Sequence, residues 1–493
     1  MTAVSWLRGL GAITASLLLL ADQTHASSFG HDQQKILASP PAAVGDPFDR
    51  SQVAHWRREC KEFPATSFDT VKGAVQLGPT ARDQHPFLPR LSDMNETAWE
   101  QWVFDATSDN GATSILVGLC RDPGYAFFGQ GNLHIQFYAA LGPGKTIKDL
   151  VFLEKSSVFD CGDYIASHWA SAPSKGYEAI FIANRDSTLA TLRLTTPRFH
   201  GNLTFASAAL GHFPDGSPLE EQHLPGQQAK GGAVEPSFVS PGLHMFNAIA
   251  GAHVSGDIVI DGEPLATRFT AHGGGGVLRI WAAANWFDIV AGFRIIRASA
   301  GPYSFFFWDS LSRWAPTPTT FQWGVLYRGA EQLVATRLGL GAQEDGKEQK
   351  KGTGNKQKDD YVHVTQMYGP VGATGNVAGG TSTGHLVDFV SPKANRTWRF
   401  EIEHSVLQGS FSLGGGRGVD VFGNRAWGGE VEQSGDGYSC KYHGSAYSED
   451  AMFPERLEPW RIWVVYTIST ASQVTAAIAN RVRGLVNWSP VET

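Results

Sequence analysis

The sequence predicts an all-β protein. Three observations carry this. Short runs rich in Val, Ile, Phe, Trp and Tyr alternate apolar with polar residues. Glycine- and asparagine-containing turns separate them. Stretches with helical periodicity are few. From Trp99 onward WEQWVFDAT reads as the first strand, and TSILVGLCRD follows after an Asp109-Asn110-Gly111 turn. LHIQFYAAL sets Ile135, Phe137 and Ala139 on one face and His134, Gln136 and Tyr138 on the other. GDIVIDGEPLATRFTA reads as a hairpin about Asp261-Gly262, a dipeptide suited to two successive positive φ angles. Residues 321–338 read as another hairpin, turning near Arg328–Ala330. Trp398, Phe400 and Ile402 alternate with Arg399, Glu401 and Glu403, the mark of a half-buried strand.

The ends differ from this body. MTAVSWLR followed by GLGAITASLLLLA has the charge and apolar length of a secretory signal, and the small residues of THA precede Ser27. Cleavage after Ala26 is predicted; an uncleaved anchor is the alternative. Residues 27–85 form a leader that packs on the body, 86–314 an N-terminal β domain and 315–455 a C-terminal β domain. Within the latter, 340–360 is charged and reads as a solvated loop. Residues 456–493 form an appended tail that packs on the barrel surface or contacts a membrane.

Composition narrows the function. The 493-residue chain carries a net charge of −7 and has no basic patch, which argues against a nucleic-acid partner. Sequons at Asn95, Asn202, Asn395 and Asn487 fit a secretory route. Cys60, Cys120, Cys161 and Cys440 permit up to two disulfides, with the pairing open. No Cys-x-x-Cys pair or His/Cys cluster has zinc spacing, so no metal is expected.

Two glycine motifs raise a serine hydrolase. His272–Gly276 resembles an oxyanion-hole loop, and GTSTG at 380–384 matches a nucleophile elbow around Ser382. An elbow needs a helix after the serine. HLVDFV and then a strictly alternating strand follow instead, so Ser382 is expected in a loop.

Four stretches occur in order: WEQWVFDATSDNGA, GQGNLHIQFYAALGPG, HGGGGVLRIWAAANWFDIVAGFRIIRASAGPY and NRTWRFEIEH. Together they resemble the fungal Diels–Alderases, lipocalin-like cyclases of polyketide–amino acid pathways related in fold to carotenoid 1,2-hydratases. The resemblance implies two lipocalin-like β-barrel or sandwich domains, with the pocket between or within them. It implies an intramolecular [4+2] cycloaddition of a linear polyene made by a polyketide synthase–peptide synthetase, without cofactor. It makes His272–Gly276 a turn before a pocket strand. By position it carries the pocket role to Trp286, Asp105, Val103, Cys120, Met245 and Tyr303. Gln136, Tyr138, Asn424 and Arg425 become the candidates for hydrogen-bonding a substrate carbonyl. Gln136 and Tyr138 stand where the family has Glu and Asn, so the substrate is expected to differ from the decalin–tetramic acid type and to lean to a cytochalasan-type product.

Three rivals stand beside this reading. A water-adding enzyme needs a buried acid, for which Asp105 and then Asp288 are the candidates. A secreted lipophile carrier would bind polyenes without turnover. A carbohydrate-active β-sandwich would use the aromatic residues as platforms.

Overall fold

Alternating strands with one apolar face each must pair that face with another layer, and here they do so in two stacked systems. A computed structural model describes residues 50–77, 85–124, 131–219, 235–264, 274–338, 359–369, 382–414, 416–432 and 441–454. The expectations on residues 1–26, Asn487, Cys440, His272, most of the 340–360 loop and the tail 456–493 fall outside these. Among the described residues the strands form two antiparallel sheets, of fifteen and nine strands.

The main path of the first sheet runs Lys61–Thr66, Lys155–Asp160, Tyr164–Ala170, Glu178–Asn184, Leu189–Thr195, Phe199–Ala209, Leu243–Gly256, Gly274–Ala282, Trp99–Thr107, Ser114–Arg121, Leu133–Ala140, Thr146–Phe152. Its ends meet. Thr146–Phe152 passes through Leu153-Glu154 directly into Lys155–Asp160. The Ser67 N–H donates to the Glu154 carbonyl at 2.9 Å, and the Asn132 N–H to the Ser67 carbonyl at 2.7 Å. The sheet therefore curls into a nearly closed barrel, and side chains fill it: Trp102, Phe104, Phe137, Trp169, Phe181 and Phe205 are all wholly buried. A buried carboxylate is tolerated inside because it is fully paired. Glu100 accepts from Arg279 at 3.1 Å, from Arg121 at 3.3 Å and from the Arg90 N–H at 2.7 Å. The Arg279 guanidinium also lies 3.5 Å over the Trp102 ring.

The second sheet runs Glu331–Leu338, Thr319–Arg328, Tyr303–Ser312, Val290–Ala300, Tyr442–Met452, Arg417–Glu430, Arg396–Gly414, Ser382–Ser391, Tyr361–Tyr368. It encloses a core of its own around Phe305, Phe307, Phe389, Trp398 and Phe400. It begins at Val290, upstream of the expected boundary at 314. The cause is local: Gly301, at φ 57°, turns Val290–Ala300 tightly onto Tyr303–Ser312 and keeps both in one sheet.

The expected hairpins form. Asp261 and Gly262 adopt φ 49° and 83°, and Gly329 turns the second hairpin at φ 58°. Ser382 opens a strand, Ser382–Ser391, so no nucleophile elbow exists there.

The leader contributes a helix, Arg50–Glu59, and the edge strand Lys61–Thr66. A Cys60–Cys161 disulfide fastens them to the barrel, while Cys120 is free and buried. The bridge spans 101 residues, and closing so long a loop is worth about 2–5 kcal/mol. Cys60→Ser is expected to lower unfolding stability by that order in denaturant melts. Non-reducing peptide mapping should recover the Cys60–Cys161 pair from the native protein.

Candidate active site

Alternation gives each strand of the first barrel two tasks. In Trp99–Thr107, Trp102, Phe104 and Ala106 enter the barrel core, whereas Val103 packs with the second sheet. The register extends that outer face. Gln101 opposes Cys120, Val103 opposes Gly118, and Asp105 opposes Leu116. Gly118 in turn opposes Gln136, and Leu116 opposes Tyr138. Leu278 opposes Val103, and Ile280 opposes Met245. The fold thus brings Val103, Asp105, Cys120, Gln136, Tyr138 and Met245 onto one face, which looks across at the second sheet.

Opposite stand Phe293, Ile295, Arg297, Phe306, Trp308, Val421 and Tyr447. Packing between the sheets is incomplete. Val103 keeps 8 % of its surface exposed, Phe293 7 % and Leu116 6 %, although all three lie between the layers. Tyr138, Trp286, Leu413 and Val419 at the same contact are only half-buried. These half-buried side chains, at the margin of an otherwise packed contact, make the space between the sheets the candidate cleft. The barrel interior, being filled, offers none.

Trp286 begins the short helix Trp286–Ile289 at one end of this cleft. Its ring stacks on Trp99 at 4.4 Å and lies 5.0 Å from Phe293, which stacks on Trp308 at 5.1 Å. The Trp99 Nε1–H donates to the Ala284 carbonyl at 2.8 Å, fixing the first ring. The result is a continuous aromatic wall.

A polar cluster stands farther along. Arg297, on Val290–Ala300 of the second sheet, donates to Asp105 Oδ2 and, at 2.8 Å, to Asn247 Oδ1, both on the first. Burial pulls the guanidinium down to about 9, so it stays charged at neutral pH. This contact explains Gly276, and the close backbone of Asp105 explains Gly275. A side-chain carbon on Gly276 would lie 2.7 Å from the Arg297 guanidinium carbon, and one on Gly275 2.2 Å from the Asp105 carbonyl oxygen. Glycine leaves room for the arginine to cross.

Beside it, the Tyr447 hydroxyl donates to Glu449 Oε2 at 2.6 Å. Burial pushes the Glu449 carboxyl up to about 7, the Tyr447 bond opposing and Asp450 reinforcing the shift. Burial also pushes the Tyr447 hydroxyl well up. When the Glu449 carboxyl is protonated the pair carries two protons, and their mutual bond uses one. The second is available to a guest acceptor. Lys148 opposes Tyr138, with its ammonium 5.6 Å from the Tyr138 ring, and burial lowers its pKa. Sequence reasoning missed Lys148, Tyr447 and Glu449. Alternation in YHGSAYSEDAM was the one available signal, and it is faint because both faces carry polar residues.

Other expected residues stand elsewhere. Tyr303 packs inside the second sheet against Phe400 and Tyr442. Asn424 faces that same interior, where it is wholly buried and bonded to His404. Arg425 is exposed and pairs with Glu403 at 2.6 Å. A register irregularity between His404 and Val406 lies where this strand pair bends. Of the acids needed for hydration, Asp105 is engaged by Arg297, and Asp288 is exposed. Among the sequons, Asn95 is buried and accepts from the Thr97 and Ala98 N–H groups. Asn202 is half-buried, and Asn395 is exposed on a turn at φ 52°.

Residues 60–454 match the model of the Diels-Alderase-like family. The hexane cyclase pydB of an Acremonium species is 33% identical over 426 residues, covering 86% of this chain and 89% of that protein. The Diels-Alderase mycB of Thermothelomyces thermophilus is 33% identical over 434 residues, with 86% and 89% covered. The crystal structure of CghA with Sch210972 superposes with a TM-score of 0.64 at 20% identity, over 81% of this chain and all of that one, which shows a shared fold. The family model spans nearly the whole described body, and two relatives are 33% identical over 86% of the chain: the chain belongs to the Diels-Alderase-like family.

Proposed function

We propose that the chain catalyses an intramolecular [4+2] cycloaddition of a linear polyene, a polyketide–amino acid intermediate of fungal secondary metabolism, in the cleft between the sheets. The observation that carries this reading is the site's asymmetry: an aromatic wall around Trp286 at one end and the hydrogen-bonded Tyr447–Glu449 pair at the other. A cycloaddition makes two C–C bonds together and requires no proton transfer. Its barrier falls when a flexible chain is held folded, an effect worth up to about 7–11 kcal/mol for ideal positioning. Donors aimed at the dienophile's carbonyl stabilise charge that grows in the transition state. Tyr447 and Glu449 suit that task, with Tyr138 and Gln136 on the facing sheet orienting the head group. These two depart from the family's pattern, and with the secretory signal and the sequons this leans the product to a cytochalasan-type isoindolone, a decalin being the alternative.

Glu449 is also an acid of the kind alkene hydration needs. Mass spectrometry separates the two reactions. Cycloaddition conserves the mass of the linear polyene, and hydration adds one water. An unchanged mass with a new ring system is expected.

We further propose a secretory location, supported by the Cys60–Cys161 bridge, which persists in oxidising compartments. Native protein should start at Ser27 and carry glycan at exposed Asn395 but not at buried Asn95. An intact Met1, or gel mobility unmoved by endoglycosidase, would contradict it.

Trp286→Ala should leave the protein folded, at a cost below the ~3–5 kcal/mol of a core tryptophan, because the ring is only half-buried. Cyclisation should slow about tenfold or lose diastereomer control. Wild-type rate and product ratio would remove Trp286 from the site.

Glu449→Leu should cost about 10²-fold in rate, the order seen when one transition-state donor is removed. Glu449→Gln keeps an N–H donor and should retain most of the activity. Equal losses in both variants would contradict a donor role.

A further inference from the structure

The second sheet encloses a polar cluster that the cycloaddition does not use. His385 comes from Ser382–Ser391, His404 from Arg396–Gly414 and Asp450 from Tyr442–Met452. Their separation in sequence hides them from any metal-spacing pattern. In the fold, one ligand atom of each lies within 4.8 Å of the others. Asp450 faces away from the cleft, since its neighbour Glu449 shares the cleft side with Tyr447.

Both histidines are wholly buried. His385 Nδ1 and His404 Nε2 make no hydrogen bond, and His385 Nε2 faces only the Asp450 carboxylate. Buried polar atoms are nearly always satisfied, so two unpartnered imidazole nitrogens in one place require an explanation. The tautomer of His404 supplies part of it. The Asn424 Nδ2 donates to the carbonyls of Phe422 and Ala446, both at 3.2 Å, and to Ser448 Oγ at 3.1 Å. Asn424 Oδ1 must therefore be the acceptor of its 2.7 Å contact with His404 Nδ1. Nδ1 carries the hydrogen, and Nε2 presents a bare lone pair to the cluster. The ring plane is fixed by stacking on Phe422 at 3.8 Å and 7°. An imidazole oriented through its far N–H by a fixed acceptor is how proteins hold a metal ligand.

The remaining geometry agrees. His385 Nε2 stands 3.4 Å from Asp450 Oδ2, close to the edge of a tetrahedron with metal–ligand bonds of about 2.0–2.1 Å. Arg294 approaches the other oxygen, Oδ1, at 3.4 Å and leaves Oδ2 for the centre. Two imidazoles and one carboxylate suit zinc-like divalent ions better than magnesium or calcium. Asp450 retains 16% exposure, which gives solvent a route to a fourth position.

We propose that His385, His404 and Asp450 bind one divalent transition-metal ion of the zinc class. Two intervening strands separate Ser382–Ser391 from Tyr442–Met452 in the sheet order, so the ion would brace the interior across non-adjacent strands. No step of the cycloaddition is routed through it.

The test uses tag-free full-length protein, stripped with a chelator and then titrated with Zn²⁺. Elemental analysis after dialysis should find about one zinc per chain, and zinc should raise the melting temperature. Co²⁺ in its place should give the visible absorption of a four-coordinate N/O site. Asp450→Asn and His404→Gln should each lower affinity at least tenfold. The Co²⁺ spectrum of the wild type decides the matter should either variant fail to fold. Zinc content well below one per chain with no thermal shift, or binding indifferent to both variants, would reduce the cluster to a buried His–Asp ion pair and overturn the proposal.

Discussion

The Arg297 clasp fixes the relation of the two sheets. One guanidinium leaves the second sheet, crosses over Gly276 and binds Asp105 and Asn247 of the first. Its side chain is 4% exposed and that of Asp105 2%, so neither charge has water to fall back on. Removing one partner of such a pair costs about 3–5 kcal/mol, because the other is left buried and unpaired. The pair contributes less to net stability than to specificity of placement. A guanidinium reaching two acceptors tolerates little sliding between layers. The cleft on either side inherits that spacing.

Around the clasp, strand alternation divides labour. Glu100, Trp102 and Phe104 serve the barrel interior, where the carboxylate is matched by Arg121 and Arg279 and the aromatic rings leave no room. Val103 and Asp105, one residue away in each case, serve the cleft. A filled barrel makes the intersheet space the place for a guest. Rigid strands on both sides suit a reaction whose catalysis is mainly the holding of one conformer.

Much of this was legible in the residues. The strands around Trp99, Ile135 and Trp398 announced themselves by period-2 alternation. Asp261-Gly262 and Gly329 announced their turns by the positive φ they adopt. The residues from Val103 to Met245, expected by position along a recognisable set of motifs, share one face of the first sheet. What failed has physical causes. Asn424 and Tyr303 sit on strands of the right sheet but face its interior; for Asn424 the parity cannot be read because bulges interrupt the register of its strand pair. The Tyr447–Glu449 pair and the His385–His404–Asp450 cluster depend on long-range pairing that no local pattern encodes. The glycine run was visible at once, yet the reason for Gly276, an arginine some twenty residues onward in the other sheet, was not.

The most direct test is a double-mutant comparison at the clasp, read with a linear polyene substrate. Asp105→Leu with Arg297→Met replaces two buried charges by apolar groups and should restore much of the stability that either single change loses. Cyclisation by the folded double variant should nevertheless be slow and yield a mixture of diastereomers, because the sheets are no longer fixed across the cleft. A folded double variant that keeps the wild-type rate and product ratio would contradict the claim that the intersheet cleft, set by Arg297, shapes the reacting polyene.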